Sequence, residues 1–369
     1  MTSSTPPRLR LLLVLPAVAS LACGILSGLA RLGLPMPSFI IGLIGVHSAL
    51  MIGGFFGTVI SLERAVALST GAATWWPYGA PLFSGLAAIA MIAGAPAMVA
   101  PVLLCLAALI MLIACVSVWL RQKVAHHAVL AMGALAWLVG NIVWALDGML
   151  ILAVPLWATF LLLTIAGERL ELSRFMPTPP AARVAFIIII TVLLLAATLA
   201  ATSSFSVSAT ALQLFAGALL SLAFWLFRFD IARQTIKSSG LTRYMAVCLL
   251  SGFFWLAVAG LLGVCGALQS GASLHDAALH ALLLGFVFSM VFGHAPIILP
   301  AVSRLNFCWH PSLYIPLSAL HLGLVARLLA GLTDWFVLRQ YAAIGNAIAL
   351  LLFMVMVMIS LSRVRVKRP

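Results

Sequence analysis

The sequence predicts an all-α, polytopic membrane protein of about twelve transmembrane helices, and three observations carry that reading. Of the 369 residues, 64% are apolar and only 7% are charged, against about 25% charged in a soluble domain. The apolar residues fall in long runs punctuated by charge, Pro or Gly. A crossing needs roughly 20 such residues, so twelve use about 240 and leave only short connections. Inside hydrocarbon the backbone has no water to pair with, so each run is expected as a helix, which satisfies its own amides. The chain therefore reads as one integral-membrane domain over 1–369. It has no long polar stretch from which a soluble domain or a disordered region is built.

The first run, 11–30, follows Arg8 and Arg10 and has small residues at Ala19 and Ser20, as a cleavable signal does. It is expected to remain as the first helix, because its removal leaves eleven spans with the basic loops still inside. The second run, 38–62, carries His47 and ends at Glu63 and Arg64. The next four are 80–98, 101–120, 127–146 and 149–167, and the second half repeats the count with 183–202, 209–229, 244–268, 276–300, 311–331 and 338–361. No half-to-half similarity stands out. Six cysteines lie within helices or at a helix end without any Cys-x-x-Cys pair, so neither a disulfide framework nor a c-type haem attachment is expected. Trp75, Trp76, Trp119, Trp309 and Trp335 fall at helix ends, where indole forms an aromatic belt.

An even number of spans puts both termini on one side, and basic residues identify that side as the cytoplasm. Seventeen of the 20 Lys and Arg, from Arg8 to Arg368, flank inner ends if the N-terminus is cytoplasmic, and only Arg31, Arg327 and Arg339 lie toward the other side. One miscounted span would invert every later loop and destroy that split. The net charge of +13 is thus explained by inner loops facing anionic lipid, and no nucleic-acid partner is needed.

Ionisable groups inside hydrocarbon are costly and usually face a partner or a cavity. His126, His127 and His310 open helices at the cytoplasmic interface, where water can hydrate them. His47, His280, His294 and His321 lie within the second, tenth and eleventh spans. At a rise of ~1.5 Å per residue, His47 sits roughly 13 Å, His280 about 6 Å and His321 roughly 15 Å below the outer face, so all three share the outer half of the bilayer. His294 is about 21 Å deeper than His280, yet at 100° per residue the two point almost the same way. Imidazoles on facing helices suit haem b, whose iron takes axial nitrogens and whose ring needs an apolar slot. Copper also accepts neutral imidazole. Gly42, Gly45, Gly53, Gly54 and Gly57 would let either a flat macrocycle or a neighbouring helix approach His47. Met51 and Met290 stand four residues from His47 and His294 and read mainly as packing. Arg327, six residues beyond His321 and about 6 Å inside the outer boundary, either clamps a haem propionate through its planar fork or snorkels to the surface. His275 and Asp276, at the outer start of the tenth span, form a rim, a proton entrance or simply a helix N-terminus.

These segments resemble a family. His47-Ser-Ala-Leu-Met51-Ile-Gly53 is similar to the second helix of the NnrS proteins, Leu279-His280-Ala281-Leu282 through Gly285, Met290, Gly293 and His294 is similar to their tenth, and Ala326-Arg327-Leu328-Leu329 to their eleventh. NnrS proteins are twelve-span bacterial membrane proteins that carry haem and copper and are associated with nitric oxide tolerance. More distantly, histidines on helices two and ten resemble the catalytic subunit of haem-copper oxidases and nitric oxide reductases. The resemblance implies a protein of the bacterial cytoplasmic membrane with nitric oxide as small-gas ligand and a redox partner or quinone. It departs from the NnrS pattern in lacking a His-x-His pair at His47 and an Arg after His294, and from the oxidases in lacking a His-x-His pair in helix ten, any histidine in helix six and a His-His in helix seven. Those gaps leave a three-histidine copper site unsupported.

Two functions follow. In the first, His47 with His280 or His321 ligates haem iron, Arg327 holds a propionate, and His294 binds a second metal or relays protons; whether catalysis occurs, the residues leave open. In the second, the twelve spans form a cofactor-free secondary transporter, against which stands the lack of a mid-membrane acid and of a major-facilitator loop after helix two.

Overall fold

The computed structural model describes residues 7–69, 75–173, 178–202, 205–303 and 305–362. Arg174, Arg304, Arg363, Arg365, Lys367 and Arg368, all counted above toward the inner side, lie outside the described residues, as does the side chain of Arg8. Among the described residues there is no strand. Eleven helices are long and apolar enough to cross a bilayer, and a shorter apolar helical segment, Trp76–Ile92, accompanies them. Two compact units are distinguished within the chain, Met1–Thr164 with Val302–Arg304, and Ile165–Ala301 with Leu305–Pro369.

The first unit opens with α1 (Pro7–Arg31). Its second span is interrupted: a short helix Ser38–Ile41 and a 3-10 turn Ile44–Val46 lead into a nine-residue π-helix, π1 (Ala49–Gly57), before α2 (Thr58–Ser69). A π-helix shifts backbone pairing to i→i+5 and rarely persists without support. Here the neighbours supply it, since the Ser20 hydroxyl donates to the Leu50 carbonyl at 2.8 Å and the Ser84 hydroxyl to the Gly53 carbonyl at 2.8 Å. The glycines of π1 are filled by helix packing. A Cβ on Gly53 would lie 2.6 Å from Leu104, one on Gly57 2.5 Å from Trp137, and one on Gly54 would collide with Ser20.

Helices α3 (Gly79–Ile92), α4 (Val99–Gln122), α5 (Ala125–Asp147) and α6 (Leu150–Ser173) follow, the last passing into the second unit at Ile165. α3 stops at Ile92 instead of running to 98 because Gly94 turns left-handed at φ +68° and Pro96 follows. Buried Asn141 joins α4, α5 and α6 by donating to the Leu104 carbonyl at 3.0 Å and accepting from the Trp157 indole at 2.9 Å.

The second unit holds α7 (Pro180–Thr202), α8 (Phe205–Phe229), α9 (Gly240–Val264), α10 (His275–His280), π2 (Ala281–Phe288), α11 (Ser289–Ser303), α12 (Tyr314–Leu332) and α13 (Phe336–Ser362). Small residues again set the close approaches. Gly260 admits the backbone of Leu220, and a Cβ on Gly285 would lie 2.5 Å from Trp255. Phe292 stacks on Phe353 at 3.7 Å, and Asn346 donates to the Leu320 carbonyl at 2.9 Å.

One expectation is overturned by these details. The two π-helices begin alike, Ala49-Leu-Met-Ile-Gly53 and Ala281-Leu-Leu-Leu-Gly285, each just after an intramembrane histidine. The halves therefore do share a local pattern.

Candidate functional site

His47 lies in the first unit, and His280, His294, His321 and Arg327 in the second. His47 caps the 3-10 turn immediately before π1. Its Nδ1 is 2.7 Å from the Gly24 carbonyl. A carbonyl only accepts, so Nδ1 carries the proton and Nε2 the lone pair. The ring rests on Gly28, where a Cβ would lie 2.8 Å from its Cε1, so the Gly24-x-x-x-Gly28 face of α1 is its seat. Gly24 also receives the Met51 thioether and Gly252 the Met290 methyl, which confirms both methionines as packing. A cavity of about 70 Å³ in this unit is lined by Val46, Ala90, Met91, Pro96, Ala100 and Trp144. Pockets for drug-sized ligands run to roughly 300–1,000 Å³, so this one is too small for such a ligand. The small-residue run of π1 provides no slot for a macrocycle, because Leu104, Ser20 and Trp137 already fill it.

In the second unit, His280 ends α10 and adjoins π2. Its Nδ1 donates to the Asp276 carbonyl at 2.8 Å and lies 3.2 Å from the Asp276 carboxylate. That carboxylate is held from the other side by Arg327 of α12 at 2.7 Å. Arg327 is only 4% exposed, so it does not snorkel; its Nη1 donates to Asp276, and its Nε is buried without a partner among the described residues. His280 thus also presents Nε2 as its lone-pair nitrogen, with a carboxylate and a backbone carbonyl behind it.

His321 has the opposite polarity. The Trp255 indole donates to its Nδ1 at 2.9 Å with the two rings near parallel. A neutral imidazole that accepts at Nδ1 must carry its proton on Nε2, and this Nε2 is buried without a partner. It is a donor in this arrangement and not a metal ligand.

His294 uses both nitrogens. Nδ1 donates to the Met290 carbonyl at 2.6 Å, and Nε2 accepts from Arg169 at 2.8 Å. A metal at Nε2 would have to displace a guanidinium that is 4% exposed. Nearby in charge, Asp230 is almost fully buried, accepts from the Ala232 amide at 2.7 Å and leaves Oδ2 unpartnered. Burial raises its pKa above the usual carboxylate value, with Arg169 and the Ala232 amide opposing.

His280 and His294 no longer share a face by the simple count. π2 lies between them, and wider i→i+5 turns advance each residue by less than 100°. Glu63 and Arg64 pair at 3.3 Å, as expected at a helix end. Trp255 and Arg169 escaped the sequence reading as site residues. Trp255 lies in an uninterrupted apolar run, and Arg169 reads as one more basic inner-end residue. Among the described residues no group of three or more His, Cys, Asp or Glu is placed to hold a metal.

The fold and these buried polar groups define an all-α, multi-pass membrane protein whose exposed apolar faces contact lipid. The chain belongs to the family described as a domain of unknown function, DUF8744, which matches residues 10–362. No curated protein and no solved structure matches it.

Proposed function

We propose that this protein binds haem b in the bacterial cytoplasmic membrane and handles electrons or nitric oxide, as its resemblance to NnrS proteins implies. The observation that supports this best is the tautomer of two histidines. Metal-bound imidazoles generally donate their second nitrogen to a carbonyl or carboxylate, which fixes the ligand nitrogen and raises its basicity. His47 does so to Gly24, and His280 to Asp276. Haem needs only one or two protein nitrogens, whereas copper or zinc sites usually gather three or four, so histidines prepared singly suit haem better. The donor nitrogens therefore suit iron at His47 and at His280, while the filled glycines of π1 leave no room for the ring on that side of His47. The nitrogens do not suit iron at His321, whose lone pair is taken by Trp255, or at His294, whose Nε2 is taken by Arg169.

In this reading His47 and His280 would hold the group, each offering its Nε2 lone pair to iron. Bound haem supplies a one-electron couple or an open position for a small gas. Asp276 fixes the His280 tautomer, and Arg327 holds Asp276 in place. His294 with Arg169 is a structural pair, and copper at His294 requires Arg169 to withdraw. Both termini face the cytoplasm by the distribution of basic residues.

A second reading has its own support: the interrupted span Ser38–Ser69 resembles the broken helices with which secondary transporters line binding sites. Reduced-minus-oxidised spectra of the purified protein separate the two. We expect b-type bands that are lost or strongly weakened in His47→Ala or His280→Ala and retained in His294→Ala. A colourless preparation from haem-replete cells, with no metal on elemental analysis, would move the conclusion to transport.

A further inference from the structure

Of His47, His280, His294 and His321, only His321 carries its proton on Nε2 instead of Nδ1. It is the eighth residue of the 19-residue helix α12, near mid-membrane. Trp255 fixes the proton on Nε2, and that N–H is buried with no acceptor. A buried polar hydrogen without a partner is destabilising, and a ligand or water commonly meets it. Trp255 is itself pinned, because its ring packs on Gly285 of π2 where even a methyl group would collide. The donor is therefore held by the fold and cannot easily turn away.

The surroundings select the acceptor. Trp255 and His321 are uncharged, and the nearest cation on the same helix, Arg327, has its charge matched by Asp276 at 2.7 Å. With no unbalanced positive charge, an anion at this depth would be costly. A neutral oxygen suits the site. Leu322 beside His321 is 70% exposed and Phe254 beside Trp255 is 55% exposed, so both neighbours face lipid, the direction from which an apolar molecule arrives. The exposed phenyl ring of Phe254 is the kind of face that stacks on a flat conjugated ring. We propose that His321, positioned by Trp255, donates its Nε2 hydrogen to a carbonyl oxygen of a lipid-soluble quinone. This uses the second unit alone and does not depend on iron.

The test uses full-length protein with ¹⁵N-labelled histidine, produced without haem and reconstituted in phospholipid nanodiscs. Decyl-benzoquinone is the probe. The His321 signals, assigned by their loss in His321→Phe, are expected to show protonated Nε2 and unprotonated Nδ1, with Nε2 shifting as quinone is added. His321→Phe keeps the ring and removes the donor, and should weaken quinone binding about three- to tenfold, the worth of one neutral hydrogen bond. His321→Gln restores an N–H and should recover part of that loss. Trp255→Phe should move the proton off Nε2, a change that lost packing alone does not produce. Unprotonated Nε2 in the wild type, or equal quinone affinity in His321→Phe, overturns the proposal. A haem-free protein that still binds quinone through Nε2 leaves it standing even where the haem reading fails.

Discussion

Replacing Asp276 with Asn separates the load this residue carries for stability from the one it carries for His280. Arg327 has a side chain 5% exposed and meets the Asp276 carboxylate at 2.7 Å, while the Asp276 side chain is 28% exposed. Removing one partner of a fully buried pair costs about 3–5 kcal/mol, because the other charge stays buried and uncompensated. Partial exposure of Asp276 lets solvent screen the pair, so the expected loss for Asp276→Asn is about 2–3 kcal/mol. Arg327→Met removes the buried charge itself and should cost less, and Asp276→Asn combined with Arg327→Met should cost less than the sum by about 1.5 kcal/mol or more. Equilibrium unfolding in mixed micelles, followed by tryptophan fluorescence, reads all three. The spectrum should behave differently: His280 Nδ1 still donates to the Asp276 main-chain carbonyl at 2.8 Å, so b-type bands should persist in Asp276→Asn. Additive single-variant losses, within about 0.5 kcal/mol, would refute the pairing as a stabilising unit. Loss of the bands with unchanged stability would invert the assignment.

Two other outcomes follow from single contacts. Gly28→Ala places a Cβ 2.8 Å from the His47 ring, so it should cost about 1–3 kcal/mol and weaken the bands. Gly45→Ala, with open space at its Cβ, should leave both the bands and the unfolding midpoint as they are. Asp230 gives a pH dependence. Its folded pKa is raised above the model carboxylate value of 3.8, so the native state binds the proton more tightly than the unfolded chain. Its contribution is fully present below that value and is lost as pH rises through the raised native pKa. Asp230→Asn keeps an acceptor for the Ala232 amide, and unfolding measured across that range should show a flatter decline than in the wild type.

The spans were legible because a bilayer imposes length and composition together. The end of α3 was misplaced because six apolar residues, Ala93 to Met98, contain the Gly94 turn and Pro96 without a charge to mark the break. π1 and π2 left no trace in composition, since Ala, Leu, Ile and Phe favour an i→i+4 ladder as readily as i→i+5. What selects the π form in the first unit is hydroxyls from other helices, Ser20 and Ser84. Arg327 and Asp276 were each anomalous in the sequence and sit at the same depth on two spans, so their pairing was within reach of depth counting. The Arg169–His294 contact was not, since it joins residues 125 positions apart whose side chains each had an ordinary explanation. Likewise, four histidines look equivalent in a sequence, and only the partner at Nδ1 distinguishes a lone-pair donor from a proton donor.

The recurrence of one arrangement in both units links the fold to that distinction. In each, a histidine whose Nδ1 is tied to a main-chain carbonyl stands one or two residues before a π-helix that begins Ala-Leu and places a glycine fifth. The glycine receives a large side chain from a neighbouring helix, Leu104 against Gly53 and Trp255 against Gly285. A π-helix forgoes good hydrogen-bond geometry, so it survives where surrounding contacts favour it and is often found at functional sites. Its effect here is local. By advancing less than 100° per residue, it turns the following face of the helix away from the one the histidine occupies. In the second unit π2 brings Gly285 against the Trp255 that sets the His321 proton. A chain with continuous α-helix through 281–288 would rotate Gly285 off Trp255, so the polarity of His321 depends on the same irregularity that follows His280.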